Sequence, residues 1–70
     1  KIGDKLKELR LTANLTQQQV AAAIDISRST LSQYENGLIE PTASVIAKLS
    51  KFFQISSDFI LGLEDDFGSK

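Results

Sequence analysis

The sequence predicts an all-α fold, a compact bundle of five short helices in a chain of 70 residues. Three features carry that expectation. Apolar residues recur at helical spacing along the chain, and no stretch shows the alternation of a strand. Thr16, Ser27, Thr42 and Ser56 each stand where a helix needs an N-cap. Gly37 and Gly62 stand where a left-handed residue would stop a helix.

Ile2, Leu6, Leu9 and Ala13 fall at i, i+4, i+7 and i+11, which predicts a first helix from Ile2 to about Thr12. Asn14 can supply the left-handed turn that follows. Thr16 begins the second helix, because its hydroxyl can accept from the unpaired first-turn amides. Gln19 completes a capping box, and Leu15 and Val20 occupy the two staple positions. Val20, Ala21 and Ile24 form its apolar stripe; the small Ala21, Ala22 and Ala23 favour helix and let a neighbour come close. After a turn at Ile24-Asp25-Ile26, Ser27 caps a third helix, with Ile26 and Leu31 as its staple. It runs to about Asn36, with Leu31 and Tyr34 facing inward.

Beyond Gly37 a loop reaches Pro41, and Thr42 caps a fourth helix with a wide stripe of Val45, Ile46, Leu49, Phe52 and Phe53. Ser56 caps a fifth, in which Ile55 and Ile60 form the staple, Phe59 and Leu61 add apolar surface, and Gly62 is the stop. Residues 1–63 thus read as one domain and 64–70 as an acidic tail or linker. No internal repeat appears.

Composition narrows the class. Seventy residues is near the lower end of chains that fold alone, and with no cysteine or histidine neither a disulfide nor a structural zinc can staple the core. The lack of cysteine fits a reducing cytoplasm. No run of about 18 apolar residues offers a membrane span, and the N-terminus lacks the charged-then-apolar pattern of a signal peptide. No glycine-rich phosphate loop or metal-ligand cluster occurs, so the reading is of a non-enzyme without cofactor or metal. Glu64-Asp65-Asp66 is a solvated tail rather than an acid–base site.

The segment from Thr16 to Gly37 is the most informative. Two short helices joined by a tight turn, the second with a polar outer face, are the geometry that puts one helix into the major groove of double-stranded DNA. Arg28, Ser29, Ser32 and Gln33 make that outer face, which holds donors and acceptors but no carboxylate. The formal net charge of −1 runs against a polyanion partner. Its distribution softens the objection. Lys1, Lys5, Lys7, Arg10, Arg28, Lys48 and Lys51 outnumber the acids of residues 1–51, while Asp58, Glu64, Asp65 and Asp66 gather near the end. The local field at the contact surface is what matters.

The same residues resemble the helix-turn-helix of the Cro and phage-repressor family, the XRE family of bacterial regulators. The likeness lies in Thr16-Gln17, Ala21, Ile26-Ser27-Arg28-Ser29-Thr30, Leu31-Ser32, Tyr34-Glu35-Asn36-Gly37 and Pro41, and extends from Leu9-Arg10 to Ile55-Ser56 and Leu61-Gly62. It implies a lambda-repressor-like DNA-binding domain in which helices 2 and 3 form the motif. It also implies a sequence-specific regulator, a repressor by type, acting as a homodimer on an inverted repeat. Two recognition helices in such a dimer stand about 34 Å apart, one DNA turn.

Base contacts are expected from Arg28, Ser29, Ser32 and Gln33. Arginine can donate twice to guanine O6 and N7, and glutamine can pair with adenine N6 and N7. The plainer alternatives are a solvated arginine and a surface helix former. Backbone contacts are expected from Thr16, Gln17, Ser27, Thr30, Tyr34, Asn36, Thr42 and Ser44. Gln17 combines an amide with a helix start, where an anion is welcome. Thr30 and Tyr34 have an apolar part for packing as well as a hydroxyl for a phosphate. The resemblance further implies that Arg10 pairs with Glu35 instead of touching DNA, tying the first helix to the end of the third.

Two positions depart from the family pattern. Asp25 fills a turn position that is often glycine, and aspartate takes the left-handed conformation less readily. Ser50 stands where alanine is common, and its hydroxyl is expected to bond back to a carbonyl one turn earlier. The competing reading is a protein-interaction module of the same fold, of antitoxin, restriction-control or coactivator type. Leu38-Ile39 in a polar loop and Phe59 would serve a partner, and a region beyond Lys70 would be a further place for one.

Overall fold

The computed structural model describes residues 2–55 and Ile60. Four helices are seen: α1 (Ile2–Thr12), α2 (Gln17–Ala23), α3 (Arg28–Glu35) and α4 (Ala43–Phe53). No strand occurs among the described residues. Ile60 is helical and buried, but the rest of the expected fifth helix, with Ser56, Phe59 and Gly62, lies outside the described residues, as does the 63/64 boundary.

The starts of α2, α3 and α4 are each fixed by a hydroxyl. Thr16 accepts from the Gln19 amide at 3.1 Å, and the Gln19 side chain accepts from the Thr16 amide at 2.8 Å, a complete capping box. Ser27 accepts from the Thr30 amide at 3.0 Å, and Thr42 from the Val45 amide at 3.2 Å.

The helix ends repeat one device. A residue with positive φ follows each helix: Asn14 at 62°, Asp25 at 63°, Gly37 at 76° and Gln54 at 58°. The next amide then reaches the carbonyl five residues back, Leu15 to Arg10 at 3.1 Å, Ile26 to Ala21 at 2.9 Å, Leu38 to Gln33 at 2.9 Å and Ile55 to Ser50 at 3.0 Å. This is the Schellman arrangement, which satisfies carbonyls orphaned at the helix end. Leu15, Ile26 and Ile55 pack against the core, so each closes one helix, and Leu15 and Ile26 anchor the chain at the cap that follows. Leu38 does not; it is 71% exposed, because the chain runs through a loop before α4.

The core joins all four helices. Leu6, Val20, Leu31, Leu49 and Ile60 are each no more than 2% exposed. Each such side chain contributes about 1.5–3 kcal/mol of transfer free energy, and short helices need this, since none of this length is stable alone in water. α3 packs on both α1 and α2.

Three expectations are corrected. Ala13 is exposed, because α1 ends at Thr12 and the turn at Asn14 carries it off the stripe. Phe52 is 39% exposed and lies edge-on to Phe53, ring centroids 5.0 Å apart, so the buried stripe of α4 is narrower than its apolar residues suggest. The Ser50 hydroxyl donates forward to the Ile55 carbonyl, not back along the helix, because Gln54 turns left-handed and brings that carbonyl over the helix end.

One glycine has a packing reason. A Cβ on Gly3 would sit 2.5 Å from the Tyr34 carbonyl oxygen and 2.7 Å from that of Glu35, both backbone atoms. Gly3 therefore sets how closely α1 approaches the end of α3. Gly3→Ala is expected to lower stability by about 1–3 kcal/mol in urea unfolding, the usual cost of overpacking. An unchanged midpoint would show that α1 can move away freely. Asp25→Gly is expected to raise stability by about 0.5–1 kcal/mol in the same assay, since relief of left-handed strain exceeds the added chain entropy.

Candidate nucleic-acid interface

The outer face of α3 follows from its inner one. Leu31, Tyr34 and Glu35 are buried, so the residues between them in helical projection must face out. Arg28, Ser29 and Gln33 are exposed and Ser32 half-buried. They group on one side of the helix, with donors and acceptors and one positive charge. The helix's one carboxylate, Glu35, is turned inward with a side chain 2% exposed.

That carboxylate is the centre of the site's scaffold. Arg10 Nε donates to Glu35 Oε2 at 2.7 Å and Arg10 Nη2 to Oε1 at 3.1 Å, a bidentate pair. Arg10 Nη1 donates to the Leu15 carbonyl at 3.0 Å. Gln17 Nε2 adds a third bond to the carboxylate, donating to Oε1 at 3.0 Å. The hydrogen bond to Glu35 raises the Arg10 pKa above its ordinary value, against the opposing effect of burial. A raised cation stabilises the fold below its unfolded pKa and is lost only above it, so Arg10 stays charged through the physiological range. Among the described residues no buried side-chain nitrogen or oxygen lacks a partner.

The expected backbone-contacting residues are placed unequally. Thr16, Ser27, Asn36, Thr42 and Ser44 are exposed, and Gln17 and Thr30 half-buried. Thr16, Ser27 and Thr42 already use a lone pair as caps. Ser27 also donates to the Thr30 hydroxyl at 2.8 Å, and Asn36 Nδ2 donates to Ser32 Oγ at 3.4 Å. Tyr34 is 7% exposed and belongs to the core, so its ring is not brought to the surface with the others. The Gln17 amide is engaged on both sides, because Arg28 Nη1 donates to its Oε1 at 3.4 Å. That double engagement joins residues from different helices, and no sequence spacing announces it.

Among the described residues no group of histidine, cysteine, aspartate or glutamate could hold a metal ion, and no helix is long and apolar enough to cross a membrane.

Known proteins share the helix-turn-helix arrangement of this chain. A helix-turn-helix family model matches residues 6–60. The HTH-type transcriptional regulator ImmR of Bacillus subtilis (strain 168) is 34% identical over 64 residues, covering 91% of this chain and 50% of ImmR. The chain therefore spans about half of that relative. The uncharacterised HTH-type transcriptional regulator MJ0272 of Methanocaldococcus jannaschii is 36% identical over 63 residues, 90% of this chain and 96% of that protein. The fold is similar to the crystal structure of the P22 c2 repressor protein in complex with synthetic operator 9T in the presence of Tl+. The TM-score is 0.80 at 25% identity, covering 84% of this chain and 89% of that one.

The buried pair makes a prediction about stability. Glu35→Ala strands the Arg10 charge and is expected to cost about 3–5 kcal/mol. Gln33→Ala on the outer face should stay within about 0.5 kcal/mol of the parent. Thermal unfolding of the two variants side by side checks this; equal melting temperatures would argue against a structural role for Glu35.

Proposed function

This chain belongs to the Cro/C1-type (XRE) family of helix-turn-helix transcriptional regulators, a DNA-binding and non-enzymatic family, and we propose that it is a sequence-specific double-stranded DNA-binding regulator of repressor type. The observation that carries the reading is the outer face of α3: Arg28, Ser29, Ser32 and Gln33 on one side, no exposed carboxylate on the helix, and a buried ion pair behind it.

In this reading α3 enters the major groove with Arg28 leading. Arg28 and Gln33 carry most of the base readout, because only they have the length and paired hydrogen-bonding groups for bidentate contact. Ser29 and Ser32 reach a base edge or a phosphate. Thr16, Gln17, Ser27, Thr30, Asn36, Thr42 and Ser44 flank that face as backbone contacts, which fix register without reading sequence. Tyr34 takes part through what little surface it exposes. Two copies bind an inverted repeat as a homodimer. With a net charge of −1, non-specific affinity is modest and falls further with salt. The P22 c2 repressor structure in complex with synthetic operator 9T supports DNA as the partner of this chain.

A second reading, a protein-interaction module of the same fold, rests on Leu38 and Ile39, 71% and 43% exposed side by side. Selection from a randomised duplex pool at about physiological salt, with wild type and Arg28→Ala in parallel, separates the two. The expected outcome is an inverted repeat enriched by wild type and lost by the variant, with both folded. No enrichment by a folded wild type would transfer the reading to the interaction module. Enrichment unchanged in Arg28→Ala would remove Arg28 from base readout.

A further inference from the structure

We infer that Asn36-Gly37, at the end of α3, is a site of self-modification: the Asn36 side chain closes onto the Gly37 nitrogen, loses ammonia and opens in water to a carboxylate. Opening of the α3 end controls the rate. The site is independent of the DNA reading; only its effect on binding rests on that reading.

The reaction needs only the chain and water. The Gly37 nitrogen attacks Asn36 Cγ, and a cyclic imide forms. The Cγ–Nδ2 bond breaks, and Nδ2 leaves as ammonia with the proton that Gly37 gives up. Water then adds to one imide carbonyl. Opening at Cγ yields aspartate; opening at the Asn36 carbonyl carbon yields isoaspartate, whose backbone runs through Cβ. Either product carries a negative charge where the amide carried none. Glycine on the receiving side favours closure, because no Cβ crowds its nitrogen.

The surroundings leave room for it. Asn36 and Gly37 are both exposed. A Cβ added at Gly37 would meet nothing within 4 Å, so that side of the turn is open. The Asn36 side chain is tied by a long bond, Nδ2 to Ser32 Oγ at 3.4 Å.

What holds the reaction back is the helix end. With ψ of −1° at Asn36, the Gly37 nitrogen eclipses the Asn36 nitrogen, whereas closure needs it to eclipse Cβ. That rotation breaks the bond from the Gly37 amide to the Tyr34 carbonyl at 3.2 Å. It also pulls the Leu38 amide from the Gln33 carbonyl, now 2.9 Å away. Of the four helix ends this one is the least secured. Leu15, Ile26 and Ile55 close theirs from the core, but Leu38 is 71% exposed and anchors nothing. A helix end without buried apolar contacts opens at little cost. Asn14 is the internal contrast. It is also exposed, but Leu15 follows it, whose side chain crowds the nitrogen and whose packing on the core keeps the turn shut.

The consequence falls on the outer face of α3, where the helix exposes no carboxylate. A new anion there stands at the negative end of the helix dipole. On the reading of Asn36 as a backbone contact, it also faces a phosphate. Binding then weakens for every duplex alike, and the loss shrinks as salt rises.

The test incubates wild type in neutral buffer, folded and in urea, and follows its proteolytic peptides by mass. Asn36 is expected to convert to a pair of isomeric acids while Asn14 stays intact. Conversion should run about ten- to a hundredfold slower in the folded protein than in urea. Asn36→Gln, whose longer side chain cannot close the same ring, should stay unconverted. Amide hydrogen exchange reads the helix end directly: Gly37 and Leu38 should be less protected than Leu15, Ile26 and Ile55. Asn36→Asp, which carries the product's charge, should bind the selected duplex about tenfold more weakly than wild type at physiological salt. No conversion at Asn36 in the folded protein, or equal conversion at Asn14, would overturn the site. Equal rates folded and in urea, or Leu38 as protected as Leu15, would overturn control by the helix end. Unchanged affinity in Asn36→Asp would overturn the effect on binding. A folded wild type that selects no duplex fails the DNA reading, and the effect on binding with it; the peptide masses still decide the site.

Discussion

A carboxylate buried in a domain this small costs several kcal/mol unless donors surround it, and meeting that demand at Glu35 places three helices at once. Arg10 comes from α1, Gln17 from α2, and the carboxylate itself from α3. α3 has eight residues, too few to persist alone. Its direction is set by Leu31 and Tyr34 packed below it and by the grip on Glu35 at its end. Gly3 completes this arrangement: with no Cβ, α1 comes close enough to the end of α3 for Arg10 to reach. Replacing the pair with apolar residues could give equal stability, but not the same polar connection outward to Gln17 and Arg28.

The helix boundaries depend on a second constraint, local where the first is long-range. A left-handed residue, then an apolar residue, then a hydroxyl cap recurs at Asn14-Leu15-Thr16 and at Asp25-Ile26-Ser27. In three residues it closes one helix, anchors the chain to the core and opens the next helix in a new direction. Such junctions were legible in the sequence because their chemistry is local: a threonine with glutamine three residues on, or a serine before a polar run, needs no tertiary knowledge. Gly37 was legible for the same reason. Gln54 was not, since glutamine has no marked left-handed preference, and its φ of 58° follows from Ile55 being drawn into the core.

What could not be read from spacing depends on contacts between distant segments. Gly3 looks like an ordinary glycine early in a helix; only the carbonyls of Tyr34 and Glu35 above it give it a purpose. Phe52 lies on a helical stripe yet faces solvent, because an apolar stripe says which side of a helix is inward but not how far along a neighbour reaches, and Ala13 leaves its stripe because α1 has already ended. The Arg10–Glu35 pair spans 25 positions and entered through family resemblance, since arginine and glutamate so far apart are normally unrelated surface charges. Gln17 was legible as a polar residue at a helix start, suited to an anion. Its engagement with a carboxylate on one side and an arginine on the other required three helices to be in place.

These features bear on how a nearly neutral chain can choose among DNA sequences. A strongly basic domain can rely on phosphate attraction and tolerate loose geometry, at the expense of binding everywhere. A net charge of −1 does not permit that. On the proposed reading, specific contact then comes from side chains that lose little freedom on binding, on a helix fixed by its buried face. The outer face of α3 has few hydrogen-bonding groups, and Arg28 is the one charge among them. The Gln17 amide lies between that arginine and the buried Arg10–Glu35 pair, so the exposed start of α3 is joined to the polar centre of the fold. On the proposed reading of Arg28 as a base contact, that connection couples sequence preference to stability at Glu35.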